Sequence, residues 1–429
     1  MKIRYFLWFF LAFVSAKHES YSGWKSYYVT PSTMDQLETL GQLTDSLDLD
    51  FLIYATIGRE GLVLVKPEYQ MTFEDAMEDV GISFSVHAED VKSQLDKDDE
   101  LMISRRKLNR KSSRGEMPYD DYQTLDVIYN YIDTIVEKYP DLVTLVTPAN
   151  SFEGRPIKYL KISSSNFQND NKSVIFLEAM IHPREWLTAP VATYSIHKLV
   201  ENLTDSELLD KFDWIILPVV NPDGYVYTFE RERFWRKTRS TDQHPSSDQC
   251  PGVDINRNFD FAWNTVGVSI SPCGESYAGG RPASEVETRV IRDILHENLS
   301  RMVLYLSIHS YGSMILYSWG HNGSLSNYAL PLQAIGVSMA EKISERSLPD
   351  FPSYVVGNAK LVVGYQMSGS SHDYAHSIGV PLAYTWELPG LSRGLMGFHL
   401  DPRYIKQVVE ETWDGIVVGA KAARELFSK

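Results

Sequence analysis

Cysteine is scarce here: two in 429 residues, Cys250 and Cys273, so the chain can close at most one internal disulfide. Positive charge is also short, with 41 Lys and Arg against 56 Asp and Glu and a net charge of −15. That balance excludes a phosphate backbone as partner, which needs clustered cations. The one basic cluster, RRKLNRKSSR (Arg105 to Arg114), lies in a polar stretch. No stretch reaches the ~20 apolar residues that span a bilayer, so no membrane anchor is expected. There is no G-x-S-x-G, the strand-to-helix elbow of a serine hydrolase. There is no H-E-x-x-H either: His18-Glu19 and His296-Glu297 both lack the second histidine of a thermolysin-like endoprotease. Internal repeats and low-complexity tracts are absent as well.

What is present begins with a core. Hydrophobic residues make up 43%, enough for two domains. Lys2 and Arg4 precede the apolar run YFLWFFLAFV, then Ser15 and Ala16. That is the pattern of a secretory signal over residues 1–16, cleaved after Ala16, and too short for a membrane anchor. A secreted chain is expected to pair Cys250 with Cys273, worth about 3 kcal/mol in the chain-entropy model. Four N-x-[ST] sequons, at Asn171, Asn202, Asn298 and Asn322, are glycan acceptors on the same expectation.

Residues 17–100 read as β-α-β-β-α-β. WKSYYVT is a strand, and Pro31 to Leu43 a helix opened by Ser32 with Asp35 in its first turn. FLIYAT and GLVLVK are strands joined at Gly58 and Gly61, TFEDAMEDV is a helix, and ISFSVH closes the set. The order is that of a ferredoxin-like α+β domain, and it holds no catalytic set. From Ala88 to Arg114 the chain is charged, with helical character that loses pattern at its basic end; residues 101–114 are expected to be a linker, with six Lys/Arg from Arg105 to Arg114. Exposed linkers are favoured sites of proteolysis. This one suits a trypsin-like protease, with a mature protein beginning near Lys111 to Gly115. Residues 115–429 alternate helices with strands, among them VIFLEAM, DWIILPVV, MVLYLSI and PLAYTWE. Several of these are nearly continuous apolar runs, the mark of strands covered on both faces.

Chemistry gathers where those strands stop. His182 and Glu185 close VIFLEAMIHPRE, His309 follows Glu185 by 124 residues at the end of MVLYLSIH, and Glu387 ends PLAYTWE. Open α/β sheets build their sites at the carboxyl ends of strands. Two imidazoles and a carboxylate form a catalytic zinc set with a fourth position open to water. Glu387 is then a candidate general base. The short motif alone is weak: with 11 His and 56 acids, roughly one or two H-x-x-[DE] matches arise by chance. His87/Asp90 is such a match and reads as a surface pair.

Longer blocks carry more weight: IHPREW, NPDGY, FWRKTRS, GVDINRNFD, YLSIHSY, GYQMSGSS and YTWEL. In this order the chain resembles the secreted zinc metallocarboxypeptidases of the pancreatic A/B type over its whole length. The His₂Glu ligand set is the known one of that family. The resemblance implies an α/β/α sandwich around a mixed eight-stranded sheet, preceded by an inhibitory pro-domain. It implies one Zn²⁺ on His182, Glu185 and His309, and Glu387 as base. Arg236 would stabilise the oxyanion, and Asn256 with Arg257 would hold the substrate's terminal carboxylate, which makes an exopeptidase. Tyr365 would cap the bound residue, with Arg184, Arg233 and Tyr311 as further substrate contacts. Asp254 would accept a bond from the first zinc histidine. Lys237 and Arg239 are expected to be structural or solvated.

The chain departs from that pattern in three places. The base of the specificity pocket is apolar in A-type enzymes and Asp in B-type; here it is His372. Asp373 aligns with an acid found in both types and is no substitute. The expected preference is therefore neutral or apolar C-terminal residues rather than Lys or Arg, with acidic residues as the alternative if His372 is protonated. Met367 narrows the pocket, and Glu387 is followed by LPG where a charged pair is usual. An inactive relative that only binds peptide C-termini would have lost a ligand or the base, and all four residues are present. A monomer is the default expectation.

Overall fold

The structure is a computed structural model that describes residues 17–108, 116–244, 246, 248–390 and 400–427. The expected signal segment and the expected cleavage region around Lys111 to Gly115 lie outside the described residues.

The N-terminal unit contains β1 (Lys25–Thr30), α1 (Met34–Ser46), β2 (Asp50–Ile53), β3 (Gly61–Val65), α2 (Gln70–Val80) and β4 (Ser83–Ala88), then α3 (Val91–Leu108). Its sheet runs β2-β3-β1-β4 with antiparallel neighbours, the ferredoxin-like order. Alternation along GLVLV sends Val63 and Val65 to the helices with Tyr27, Val29, Phe73 and Met77. Leu62 and Leu64 go to the other face, with Leu52, and pack on Phe234 and Tyr311 of the second unit. Burial on both faces explains why β3 is apolar at every position.

Two boundaries differ from expectation. Thr33, not Ser32, caps α1, accepting from the Gln36 amide, while the Ser32 amide and hydroxyl donate to Gln36 Oε1. This is a reciprocal capping box shifted by one residue. Residues 101–108, read as linker, continue α3. Helix α3 as a whole contains no Gly or Pro, and its first half carries a Lys92–Asp96 pair at i,i+4 and is held by Lys17 and His18 on Asp99.

The second unit contains α4 (Leu125–Lys138), β5 (Val143–Asn150), β6 (Pro156–Ile162), β7 (Ser173–Ala179), α5 (Thr188–Val200), α6 (Glu207–Asp210), β8 (Phe212–Leu217), α7 (Pro222–Glu230) and α8 (Val286–Asn298). It continues with β9 (Met302–Ser310), β10 (Met314–Tyr317), α9 (Ala329–Ser344), β11 (Val355–Asn358), α10 (Ala359–Val363), α11 (Ser371–Ser377), β12 (Leu382–Leu388) and α12 (Ile405–Phe427). Eight strands form one mixed sheet, β11-β10-β12-β9-β7-β8-β6-β5. Leu304, Leu306 and Ile308 of β9 face a core built with α4, α5, α9 and α12, and Met302 and Tyr305 face one built with α8 and α11. The expected α/β/α sandwich is therefore present.

Cys250 and Cys273 are bonded, with their Cα atoms 4.7 Å apart. Asn171, Asn202 and Asn322 are exposed, but Asn298 is buried and donates to the Ile294 carbonyl, so it offers no amide to a glycan. No described helix is long and apolar enough to cross a membrane.

Candidate active site

Parallel pairing of β7, β9 and β12 brings three strand ends together, with Glu387 directly opposite His309. His182 and Glu185 follow β7 in the next turn. Candidate ligand atoms of His182, Glu185 and His309 lie within 4.8 Å of one another. His182 Nδ1 is 2.7 Å from Glu185 Oε1, His309 Nδ1 is 3.0 Å from Oε2, and the two Nδ1 atoms are 3.2 Å apart. All three residues are buried. Each imidazole engages its other nitrogen: His182 Nε2 with Asp254 Oδ1 at 3.1 Å, and His309 Nε2 with Ser307 Oγ at 2.9 Å. Burial holds His309 below the usual imidazole range, against the Glu185 charge, favouring the neutral form that ligates metal. Converging Nδ1, Nδ1 and carboxylate, each imidazole oriented from behind, is a donor set that fits zinc.

Asp254 ties two functions together. Its Oδ1 meets His182 and accepts from the Asn256 amide, while Oδ2 accepts from Arg236 Nε and Nη2. Neither Arg236 bond uses Nη1. Arg257 donates Nε to the Gly267 carbonyl and Nη1 to the Asn256 carbonyl, and neither bond uses Nη2. Asn256 Oδ1 accepts from the Ser371 amide at the start of α11, setting the helix that carries His372. Burial, then the neighbouring Glu185, pushes the Glu387 carboxyl well above the usual range, and Arg236 opposes the shift.

His372 Nδ1 is 2.9 Å from Thr385 Oγ1, and its Nε2 is 3.2 Å from Asp373 Oδ1. Asp373 also accepts from the Gly320 and His321 amides. Despite its burial, the His372 and His321 contacts and the Gly320 amide hold its carboxyl well below the usual range. Met367 and Leu316 line the same cavity. The LPG departure has a steric reason: a Cβ at Gly390 would lie 1.9 Å from the Tyr311 ring.

The N-terminal unit fills this site. Phe51, Leu52 and Tyr54 line the cavity with His182, Glu185 and Glu387, leaving about 30 Å³, room for water but not for an amino-acid residue. Arg184, expected to touch substrate, forms a two-pronged ion pair with Asp50 of β2, at 2.6 and 2.7 Å. Arg233 stacks on Trp186 at 3.7 Å and donates to the Arg184 carbonyl. Tyr365 packs its ring 5.3 Å from Tyr54. Lys237 donates to the Pro272 carbonyl and Arg239 stacks on Tyr227, both structural. His87 lies on β4 in the N-terminal unit, bonded to Ser26, and is not part of this cluster.

Sequence reading missed Ser307, Thr385, Asp50 and Tyr54. Ser307 carried a usable signal, since two residues before His309 on a strand puts it on the same face. Asp50 and Tyr54 carried none, because their roles come from docking between units.

Residues 128–415 match the zinc carboxypeptidase family model, and residues 27–98 match the carboxypeptidase activation peptide model. The chain belongs to the zinc carboxypeptidase family. Carboxypeptidase B of Helicoverpa zea is 59% identical over 97% of this chain and 98% of its own length. Carboxypeptidase A2 of Rattus norvegicus is 34% identical, over 93% of each. The crystal structure of carboxypeptidase A from Helicoverpa armigera superposes with a TM-score of 0.90 at 41% identity, covering 96% of this chain and all of that one. This carboxypeptidase is thus a zinc metallohydrolase carrying an activation peptide, a proenzyme in which that peptide sits on the metal-ligand cluster.

Proposed function

We propose that the carboxypeptidase is exported behind residues 1–16 and inhibited by residues 17–100. It is activated when a trypsin-like protease cuts within residues 101–114, releasing residues 115–429 as a monomeric enzyme. It then removes single residues from peptide C-termini. The observation that carries this reading is the convergence of His182, Glu185, His309, Glu387, Arg236 and Arg257 around one cavity beneath the activation peptide. Zinc held by His182, Glu185 and His309 supplies a Lewis acid and lowers the pKa of water toward about 7. Glu387 takes the proton of the attacking water and passes it to the leaving amine. Arg236, anchored through Nε and Nη2, directs its remaining edge at the developing oxyanion; one such donor is worth about 3 kcal/mol of barrier. Arg257 and Asn256 bind the terminal carboxylate, which an internal peptide bond lacks. Tyr365 closes over the bound residue once Tyr54 leaves, with Tyr311 and Arg184 lining the approach.

The pocket floor supports a preference for neutral or apolar side chains. Asp373 is already committed to two backbone amides and His372, so no carboxylate is left for a Lys or Arg substrate. The relatives' names divide between A and B and do not decide the matter. After trypsin treatment, release of Phe, Leu, Glu, Lys and Arg from matched peptides should be chelator-sensitive and fastest for Phe and Leu. Fastest release of Lys and Arg would sink the preference, and no release with zinc bound would sink the enzyme reading. His372→Asp should move the preference toward Lys and Arg.

A further inference from the structure

Two loops meet beside Arg257. One, residues 259–270, carries Gly267, whose carbonyl accepts from Arg257 Nε at 2.9 Å. The other, residues 364–370, joins α10 to α11 and carries Tyr365 and Met367. Backbone bonds pair the loops at one end, from the Phe259 amide to the Gly369 carbonyl and from the Gly369 amide to the Phe261 carbonyl, both 3.1 Å. At the other end the pairing falls to Ser368. Its amide donates to the Val266 carbonyl at 3.0 Å. Its hydroxyl donates to the same carbonyl at 2.9 Å and accepts from the Thr265 and Val266 amides at 3.2 and 3.3 Å. That is the whole capacity of a hydroxyl, one hydrogen and two lone pairs. Ser368 is completely buried, does not line the catalytic cavity, and has no part in the chemistry above.

What these bonds fix follows from the peptide units. The Val266 carbonyl and the Gly267 amide lie in one rigid plane, so holding that carbonyl and the Val266 amide sets the entry to Gly267. Gly267, at φ +61°, approaches the other loop so closely that a Cβ would lie 1.9 Å from the Gln366 carbonyl oxygen. Its own carbonyl is thereby aimed at Arg257. That long side chain takes the plane of its guanidinium from two backbone acceptors, the carbonyls of Gly267 and Asn256. A guanidinium meets a carboxylate in its own plane, so a tilted fork binds less well. We propose that Ser368 is a positioning residue for the substrate's terminal carboxylate. It holds residues 265–267 so that Gly267 sets the Arg257 plane. It also ties that plane to the loop bearing Tyr365 and Met367, which keeps the carboxylate site in register with the side-chain pocket. The inference rests on Arg257 binding the terminal carboxylate.

Ser368→Ala tests it in the trypsin-treated, zinc-loaded protein. KM for a peptide ending in Phe should rise about 5- to 10-fold, the scale of one or two lost hydrogen bonds. Turnover at saturation should not change, because the carboxylate is held equally in the ground and transition states. Two inhibitors separate positioning from general damage. The inhibition constant of hydrocinnamate, which needs the carboxylate site, should rise by the same factor as KM. That of acetohydroxamate, which needs only the metal, should stay at the parent value. A parent-like KM, a loss confined to kcat, or both inhibition constants rising together would overturn the proposal. Should Ser368→Ala not fold, Ser368→Cys carries the test, since a thiol of similar shape is a weak donor and acceptor. There a rise of about 3-fold or more in KM and in the hydrocinnamate constant supports the proposal, and unchanged values defeat it. Arg257→Ala separates the premise from the inference, since parent-like hydrocinnamate binding in that variant would discredit the carboxylate assignment itself.

Discussion

Single side chains set both the chemistry and its inhibition. Glu387→Gln keeps shape and volume but cannot accept a proton, so the cleaved enzyme should retain zinc and bind peptide while turnover falls by several orders of magnitude. Near-parent turnover would remove Glu387 from the base role. Asp50 has the opposite expected effect. Its paired bonds to buried Arg184 cross from activation peptide to enzyme. Removing one partner of a buried ion pair typically costs about 3–5 kcal/mol, roughly two to four orders of magnitude in an equilibrium. Asp50→Ala should therefore raise hydrolysis by the uncleaved proenzyme. Basal activity indistinguishable from parent would show that the inhibitory grip lies elsewhere.

At the scale of elements, α1 reaches the cap loop because one residue has no side chain. A Cβ on Gly41 would lie 2.9 Å from Tyr365 Cβ, and across that contact Gly364, at φ +82°, admits Leu37. Gly→Ala inside a helix ordinarily stabilises it, by roughly 1 kcal/mol. Gly41→Ala should thus leave α1 intact, or firmer, while pushing it off the loop, seen as higher basal activity without loss of helical signal. Helix α3 raises a related point about legibility. Its charged sequence read as a linker beyond residue 100, because a weakly amphipathic helix has no apolar stripe to announce itself. Strands β10 and β11 went unread because four residues each are too few to show a period. In contrast β7, β9 and β12 declared themselves, being buried on both faces and ending in polar residues that no core strand would otherwise keep.

For the whole molecule, the interface between the two units carries a charge that depends on pH. Glu275 faces Asp50 there, and burial, then the Asp50 charge, pushes its carboxyl up to about 7, while Arg184, Lys237 and Arg236 pull the other way. Losing the activation peptide removes Asp50 and opens this face, returning Glu275 toward the ordinary value of about 4.3. The docked form then binds more protons than the separated one between those two values. Docking is strongest below about pH 4.3 and weakens as pH rises through about 7. Basal activity of the uncleaved proenzyme should rise across that window, and Glu275→Gln should flatten the rise. An identical pH profile in the variant would rule Glu275 out.

The sequence by itself determined the family, the metal-ligand cluster and the α/β/α class, and it supplied the proposed base and carboxylate-binding pair. Strand ends and their polar residues are local facts, and the long ordered blocks admit one family. The disulfide followed from having only two cysteines. Tertiary structure alone decided what those residues touch. Arg184 belongs to Asp50, Asp373 is already committed, and Asn298 is shut away. Each of these depends on which faces meet when two sheets and their helices dock, and strand period or residue type says nothing about partners 50 or 130 positions away.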